Sequence, residues 1–291
     1  MDLMLIFSLT CVAIFFIILL GLVMLLVTSE AYPNLGRFDS EKVFTDPKKD
    51  EKEEFPSIHD PPSVDLSVIV PAYNEQDRLP MMMDEALDYL EKRQGRQTES
   101  PSFTYEIIIV DDGSSDKTSE TGLKYSKKCG TDKVRVLTLE KNRGKGGAIR
   151  LGMFVARGKL LLFADADGAS KFSDFRKLEV EMKKINKKPD NLAIVCGSRA
   201  HLEEDSIAQR SFFRTVLMKG FHFVVWFLCV RGVKDTQCGF KLLTREAAIL
   251  LFSNLHVERW AFDVDMLYLA QYFSVPIAEV AIVWQEIEGK L

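Results

Sequence analysis

Residues 160–170, LLLFADADGAS, decide how the chain folds. Five apolar residues, Leu160 to Ala164, run without alternation, the mark of a strand buried on both faces. The run stops at Asp165 and Asp167, one residue apart, with Gly168 to turn the chain. An apolar strand that delivers two carboxylates to its C-terminal end puts them where open α/β sheets place ligands. Carboxylate oxygens are hard ligands suited to Mg2+ or Mn2+, ions that share their coordination with substrate phosphates. A solvated Asp-Ala-Asp-Gly turn is the competing reading, and the stretch alone does not separate the two.

The flanking chain decides between them. Leu66–Val70, Tyr105–Val110, Val134–Leu139, Lys159–Ala164 and Leu192–Cys196 read as strands, with Ala278–Trp284 a late one. Met81–Arg93, a segment capped at Ser115 or Asp116 and ending near Cys129, Gly147–Val155 and Phe172–Ile185 read as helices. Strand and helix in alternation predict an α/β fold, a parallel sheet with helices on both faces. Three strands end in polar clusters: PAYNE at 71–75, DDGS at 111–114 and DADG at 165–168. If those strands are neighbours, the clusters line one crevice. Asp111 and Asp112 would then accept hydrogen bonds from a nucleotide's ribose or base, and Asp165 and Asp167 would hold a divalent ion on its diphosphate.

NRGKGG at 142–147 sets two cations and three glycines just before a helix, a place that favours an anion. It is not a Walker A loop, because position 139 is Leu. It is not GxGxxG either, because position 149 is Ile. A P-loop ATPase and a dinucleotide-dependent dehydrogenase are both disfavoured. A net charge of −4 gives no basic face for nucleic acid. Cys11, Cys129, Cys196, Cys229 and Cys238 form no CxxC pair, which argues for reduced thiols and against a zinc site.

Leu3–Ser29 carries no charge and exceeds the about 20 apolar residues that a spanning helix needs. A cleavable signal would show a basic start and a shorter core, so an uncleaved anchor is expected. Arg37, Lys42, Lys48 and Lys49 follow the run and none precedes it, which places the body in the cytoplasm. Residues 30–63, rich in Pro and charge, read as a polar linker with little core, and 64–291 as one folded domain.

PAYNE, VDDGS, NRGKGGA and DADG, in this order and spacing, resemble the inverting GT-A glycosyltransferases of family 2, as do GSRAH at 197–201, DTQCGFK at 235–241 and RWAFDV at 259–264. The resemblance covers nearly the whole chain. It implies a GT-A fold, a divalent cation (Mg2+ or Mn2+), and transfer of glucose from UDP-glucose to dolichyl phosphate at the endoplasmic-reticulum membrane. Residue by residue, it implies that Pro71, Tyr73, Glu75 and Asp112 hold the uridine and that Asp165 and Asp167 hold the metal and diphosphate. Lys145 and Lys241 would lie by the diphosphate, Arg199 and Arg210 would grip the lipid phosphate, and Asp263 would stand at a general-base position.

Some of these positions have rivals. A phosphate monoester, with a second pKa of about 6, is largely dianionic in cytosol and needs no strong base. Asp263 is therefore either a base or the N-cap of a helix starting at Val264. Arg199 is either a phosphate clamp or a structural salt bridge. Phe212–Val230, with Arg214, Lys219 and His222, is either an amphipathic helix at the membrane interface or an ordinary core helix. His222 has no metal-spaced partner, and Cys238 reads as a small residue beside Gly239. A mannosyltransferase using GDP-mannose would share every cluster, and a tethered binding protein with a degenerate site is the rival from another class. Family members usually continue beyond a strand such as Ala278–Trp284, so the end at Leu291 implies a shortened form.

Overall fold

Residues 64–72 explain the sheet's position at the centre of the fold. In this computed structural model, which describes residues 3–28, 32, 36–95, 103–187, 189–201 and 230–285, they form strand β3, Val64–Ala72. Leu66, Val68 and Val70 pack into one core and Ile69 into another, so both faces of the strand are buried. The chain divides into two compact units, residues 1–35 and 36–291.

In the first unit, α1 (Leu3–Thr28) carries no charged side chain and is mostly apolar. Among the described residues it is the one helix long and apolar enough to cross a membrane.

The second unit opens on a short 3-10 turn, Asp39–Lys42, and an antiparallel pair, β1 (Val43–Asp46) and β2 (Glu51–Glu54). Here the structure corrects the expected linker. Phe44, Phe55 and Ile58 are buried in the main core, and Arg245 donates hydrogen bonds to the carbonyls of Ser57 and Asp60. Charged and Pro-rich composition hid three apolar anchors too widely spaced to show a period.

After β3 come α2 (Leu79–Gln94), β4 (Tyr105–Asp111), α3 (Thr118–Cys129), β5 (Val134–Thr138), α4 (Gly144–Phe154) and β6 (Gly158–Ala164). They are followed by α5 (Phe175–Ile185), β7 (Ile194–Ser198), β8 (Phe240–Thr244), α6 (Arg245–Asn254), α7 (Phe262–Tyr272) and β9 (Ile277–Ala281). The seven-stranded sheet has the order β5-β4-β3-β6-β8-β7-β9. All its pairings are parallel except those of β8, which runs antiparallel to both β6 and β7. One face packs on α4, α6 and α7 through Ile149, Leu251 and Phe262, and the other on α2 and α5 through Met83 and Phe175. Each such side chain, fully buried, contributes about 1.5–3 kcal/mol.

This arrangement fixes the site. β4, β3 and β6 are adjacent and parallel, so their carboxyl ends lie side by side. The reversed β8 brings its own beginning to the end of β6, and Asp165 N–H donates to the Gly239 carbonyl at 3.1 Å.

Candidate active site

The three strand tips meet in one cleft of about 450 Å3, lined by Pro71 at the end of β3, Tyr73 and Glu75 after it, Asp112 after β4, Asn142 before α4, Gly144 and Lys145 at its head, and Asp165 and Asp167 after β6. Asp112 and Asp167 thus share one hollow, as the sequence spacing predicts.

The loops after β3 and β4 are tied together. Asn74, in the left-handed region at φ 56°, accepts from the Ser115 N–H at 2.9 Å, and its own N–H donates to Ser114 Oγ. Glu75 N–H reaches Thr118 Oγ1 at 2.8 Å. The Glu75 carboxylate pairs with Arg78, and burial raises its pKa. Tyr73 keeps its ring half exposed at the cleft wall.

The two aspartates after β4 differ. Asp111 is buried and lies outside the cleft, its oxygens accepting from Ser114 N–H and Ser119 Oγ. The expected donor-binding role of Asp111 is corrected on that ground: its acceptors hold its own turn. Asp112 lines the cleft, and burial pushes its pKa up to about 6 against hydrogen bonds from the Arg143 and Gly144 N–H groups. The Arg143 contact is 2.7 Å.

That contact also changes the reading of NRGKGG. The amides of Arg143 and Gly144 point at Asp112, and Gly147 N–H donates to the Glu258 carbonyl at 2.9 Å. A methyl group on Gly146 would lie 2.4 Å from Phe262 Cβ, and one on Gly147 2.6 Å from Arg143 Cβ. These two glycines serve helix packing, and the positive charge that faces the cleft is Lys145. Its ammonium pairs with Asp165 at 2.6 Å. Burial works against that charge, but Asp165 and Asp263 outweigh it and raise the Lys145 pKa.

Asp165 and Asp167 fit a divalent cation by donor chemistry. Both present carboxylate oxygens to the cleft, and Asp165 already faces a cationic group. Among the described residues no group of three or more His, Cys, Asp or Glu could hold a metal alone, so a cation here would complete its shell with phosphate oxygens and water.

Asp263 and Lys241 are corrected. Asp263 lies in the first turn of α7, whose N-cap is Ala261, so it is not a cap. Nor does it line the cleft: it is buried, and its Oδ1 accepts from Lys241 Nζ at 2.6 Å. Lys241 is fully buried and also donates to the Cys238 carbonyl at 2.5 Å, so it is not placed to touch a diphosphate directly. Burial raises the Asp263 pKa against the pull of Lys241. Burial also opposes the Lys241 charge, but Asp263 prevails and holds the ammonium protonated. The pair acts as a buried charge layer beside Lys145 and Asp165.

Arg199 forms the salt bridge of its structural reading. Its Nε and Nη2 grip both oxygens of Asp235 at 2.8 and 3.0 Å, and its guanidinium lies 5.4 Å from the Trp284 ring. The Asp235 hydrogen bonds raise its pKa. Asp235 N–H in turn donates to Glu279 Oε1 at 2.8 Å, tying the approach to β8 onto β9. Arg210 and the Phe212–Val230 stretch as far as Cys229, with His222, lie outside the described residues. Cys11, Cys129, Cys196 and Cys238 are free thiols.

Two positions that shape the site escaped the sequence reading. Asn142 lines the cleft and donates to the Asp112 carbonyl at 3.1 Å, though its place in NRGKGG was a signal. Gly239 leaves the space that the Asp165 carboxylate fills: a methyl group there would lie 1.9 Å from Asp165 Oδ2.

The pattern of the family described as Glycosyl transferase family 2 matches residues 67–252. The chain is 63% identical over 262 residues to the human protein named dolichyl-phosphate beta-glucosyltransferase, a match covering 90% of this chain and 80% of that one. The Saccharomyces cerevisiae protein of the same name is 43% identical over 233 residues, covering 77% and 68%. Among solved structures, glucosyl-3-phosphoglycerate synthase of Mycobacterium tuberculosis shares the fold at a TM-score of 0.51 and 17% identity, over 79% of this chain and 74% of that one. The same enzyme solved with Mn2+, UDP and glucosyl-3-phosphoglycerate gives 0.50 at 16% identity, over 78% and 74%.

Proposed function

The chain belongs to glycosyltransferase family 2, and from that premise we propose that it transfers glucose from UDP-glucose to dolichyl phosphate with inversion at the anomeric carbon. The observation that carries this reading is the single cleft in which Asp112, Lys145, Asp165 and Asp167 converge.

In this reading Asp112 accepts hydrogen bonds from the uridine, with Pro71, Tyr73 and Glu75 as the opposing wall. Lys145 balances the charge of the diphosphate. Asp165 and Asp167 hold a divalent cation, Mg2+ or Mn2+, which when bound would stabilise the charge on the departing UDP. An acceptor phosphate oxygen forms the new bond to C1 of glucose as the bond from C1 to the β-phosphate oxygen breaks, and the electron pair leaves on UDP. The acceptor is already dianionic, so no residue has to take its proton. That agrees with Asp263 being buried against Lys241 and not lining the cleft. Catalysis then rests on in-line placement and on fixed charges aimed at the leaving group.

The apolar α1 supports a membrane anchor. Residence in the endoplasmic-reticulum membrane with a cytoplasmic catalytic unit completes the proposal and fits an acceptor that is itself a membrane lipid. Transfer to dolichyl phosphate from radiolabelled UDP-glucose and GDP-mannose, run in parallel on the purified chain, tests it. Glucosyl lipid from UDP-glucose alone is the expected product. Mannosyl lipid, or UDP binding with no lipid product, would overturn it.

A further inference from the structure

Glu41 sits in the stretch whose composition reads as linker, yet its side chain is wholly buried. Its Oε2 accepts from Phe38 N–H and from the Arg143 guanidinium, each at 3.1 Å, and its Oε1 accepts from Glu140 N–H at 3.1 Å. The same segment reaches the 140–143 loop twice more. Arg143 Nη2 donates to the Gly36 carbonyl at 3.0 Å, and the Phe38 ring lies 5.5 Å from Lys141 Nζ and 5.8 Å from the Arg143 guanidinium. On its other side the loop holds the cleft: Arg143 N–H donates to Asp112 Oδ1 at 2.7 Å, and Asn142 Nδ2 donates to the Asp112 carbonyl.

A buried carboxylate is stable only where its partners satisfy it, so Glu41 and the loop fix each other's place. The loop in turn carries Asn142 of the cleft wall, leads into Gly144 and Lys145 at the head of α4, and orients the Asp112 carboxylate.

We infer that Glu41 is a positioning residue for the donor side: the segment that leads into the catalytic unit holds the 140–143 loop, and through it Asp112, in the geometry that receives the nucleotide. This rests on the donor reading above. Neutralising Glu41 as Glu41→Gln keeps its volume but removes the charge facing Arg143. It weakens UDP binding about tenfold, the scale of one charge-assisted hydrogen bond. Phe38→Ala, which leaves no buried charge unpaired, weakens binding about threefold through the lost ring–cation contact. Lys42→Ala, an exposed partner of Asp39, leaves binding unchanged.

The experiment is calorimetric titration of the 291-residue chain in detergent with UDP and Mg2+, with amide hydrogen exchange followed at Arg143 and Gly144. Weaker UDP binding and faster exchange at those amides, with β3 amides unchanged, is the expected result. A folded Glu41→Gln or Phe38→Ala chain that melts lower yet keeps wild-type UDP affinity and exchange would reduce Glu41 to a stability residue and overturn the inference. If Glu41→Gln does not fold, Phe38→Ala decides. A wild-type chain that binds no UDP sinks the donor reading instead, and the exchange comparison still decides on Glu41.

Discussion

Gly239→Ala is the smallest change that reaches the centre of the cleft. A methyl group on Gly239 would lie 1.9 Å from Asp165 Oδ2, 2.2 Å from its Cγ and 2.4 Å from Oδ1, where real Cβ contacts stay beyond 3.0 Å. Backbone relaxation is limited, because Gly239 also accepts the Asp165 N–H and leads directly into β8. The carboxylate must therefore swing aside by about 1 Å, a misplacement that costs on the order of 100-fold in rate. That is about 2.7 kcal/mol at 1.36 kcal/mol per decade. The Lys145 ion pair at 2.6 Å is lost with it. Overpacking of this kind costs about 1–3 kcal/mol of stability, so the protein stays folded with a lower Tm. The assay is kcat/KM for UDP-glucose with dolichyl phosphate, alongside a thermal melt. Gly95→Ala, whose added methyl meets its nearest atom at an ordinary 3.4 Å, is the control and keeps full activity. A Gly239→Ala chain with wild-type kcat/KM would refute the placement of Asp165 in the reaction.

Four further outcomes follow from the same geometry. Asp167→Asn abolishes chelator-sensitive glucosyl transfer, and an active variant indifferent to EDTA would remove the cation from Asp167. Asp263→Asn or Lys241→Met alone strands a buried charge and lowers stability by about 3–5 kcal/mol, whereas the double variant loses less; additive losses in denaturant melts would break the pairing. Asp112 has its pKa raised by burial from 3.8 to about 6, so folding binds a proton between those values and its contribution to stability falls as pH rises through them. The ionised form is the one that accepts hydrogen bonds, so UDP-glucose binding tightens as pH rises through about 6, a step absent in Asp112→Asn; a flat wild-type profile contradicts this. Arg199→Lys cannot reproduce the two-pronged grip on Asp235 and lowers Tm by a few degrees; an unchanged melt would return Arg199 to the acceptor side.

The α/β order was legible because each buried strand is a short apolar run that ends at a polar cluster. Parallel pairing followed from the helices between them, and so did the convergence of Asp112 with Asp165 and Asp167. Neither β8 nor its reversed direction was read from the sequence. Phe240–Thr244 carries no mark of orientation, and only its pairing with β6 and β7 sets it. Lys241, Asp263 and Arg199 were expected at the ligands because the family resemblance implied it, with a helix cap and a salt bridge as the rival readings of Asp263 and Arg199. They turned inward because each had a partner, Lys241 for Asp263 and Asp235 for Arg199, distant in sequence and near in space. Asp111 and Asp112 are adjacent and chemically identical, and only the 111–114 turn assigns one to structure and the other to the cleft. Glu41 was hidden by its neighbours: in a run of charges, nothing marks the one that is buried.

Anomalous diffraction from crystals of the 291-residue chain grown with Mn2+ and UDP tests the convergence of the strand tips most directly. A single manganese peak bridging the UDP diphosphate to Asp165 and Asp167, with the uridine against Asp112, is the expected result. Manganese bound elsewhere, or UDP seated away from these three carboxylates, would contradict it.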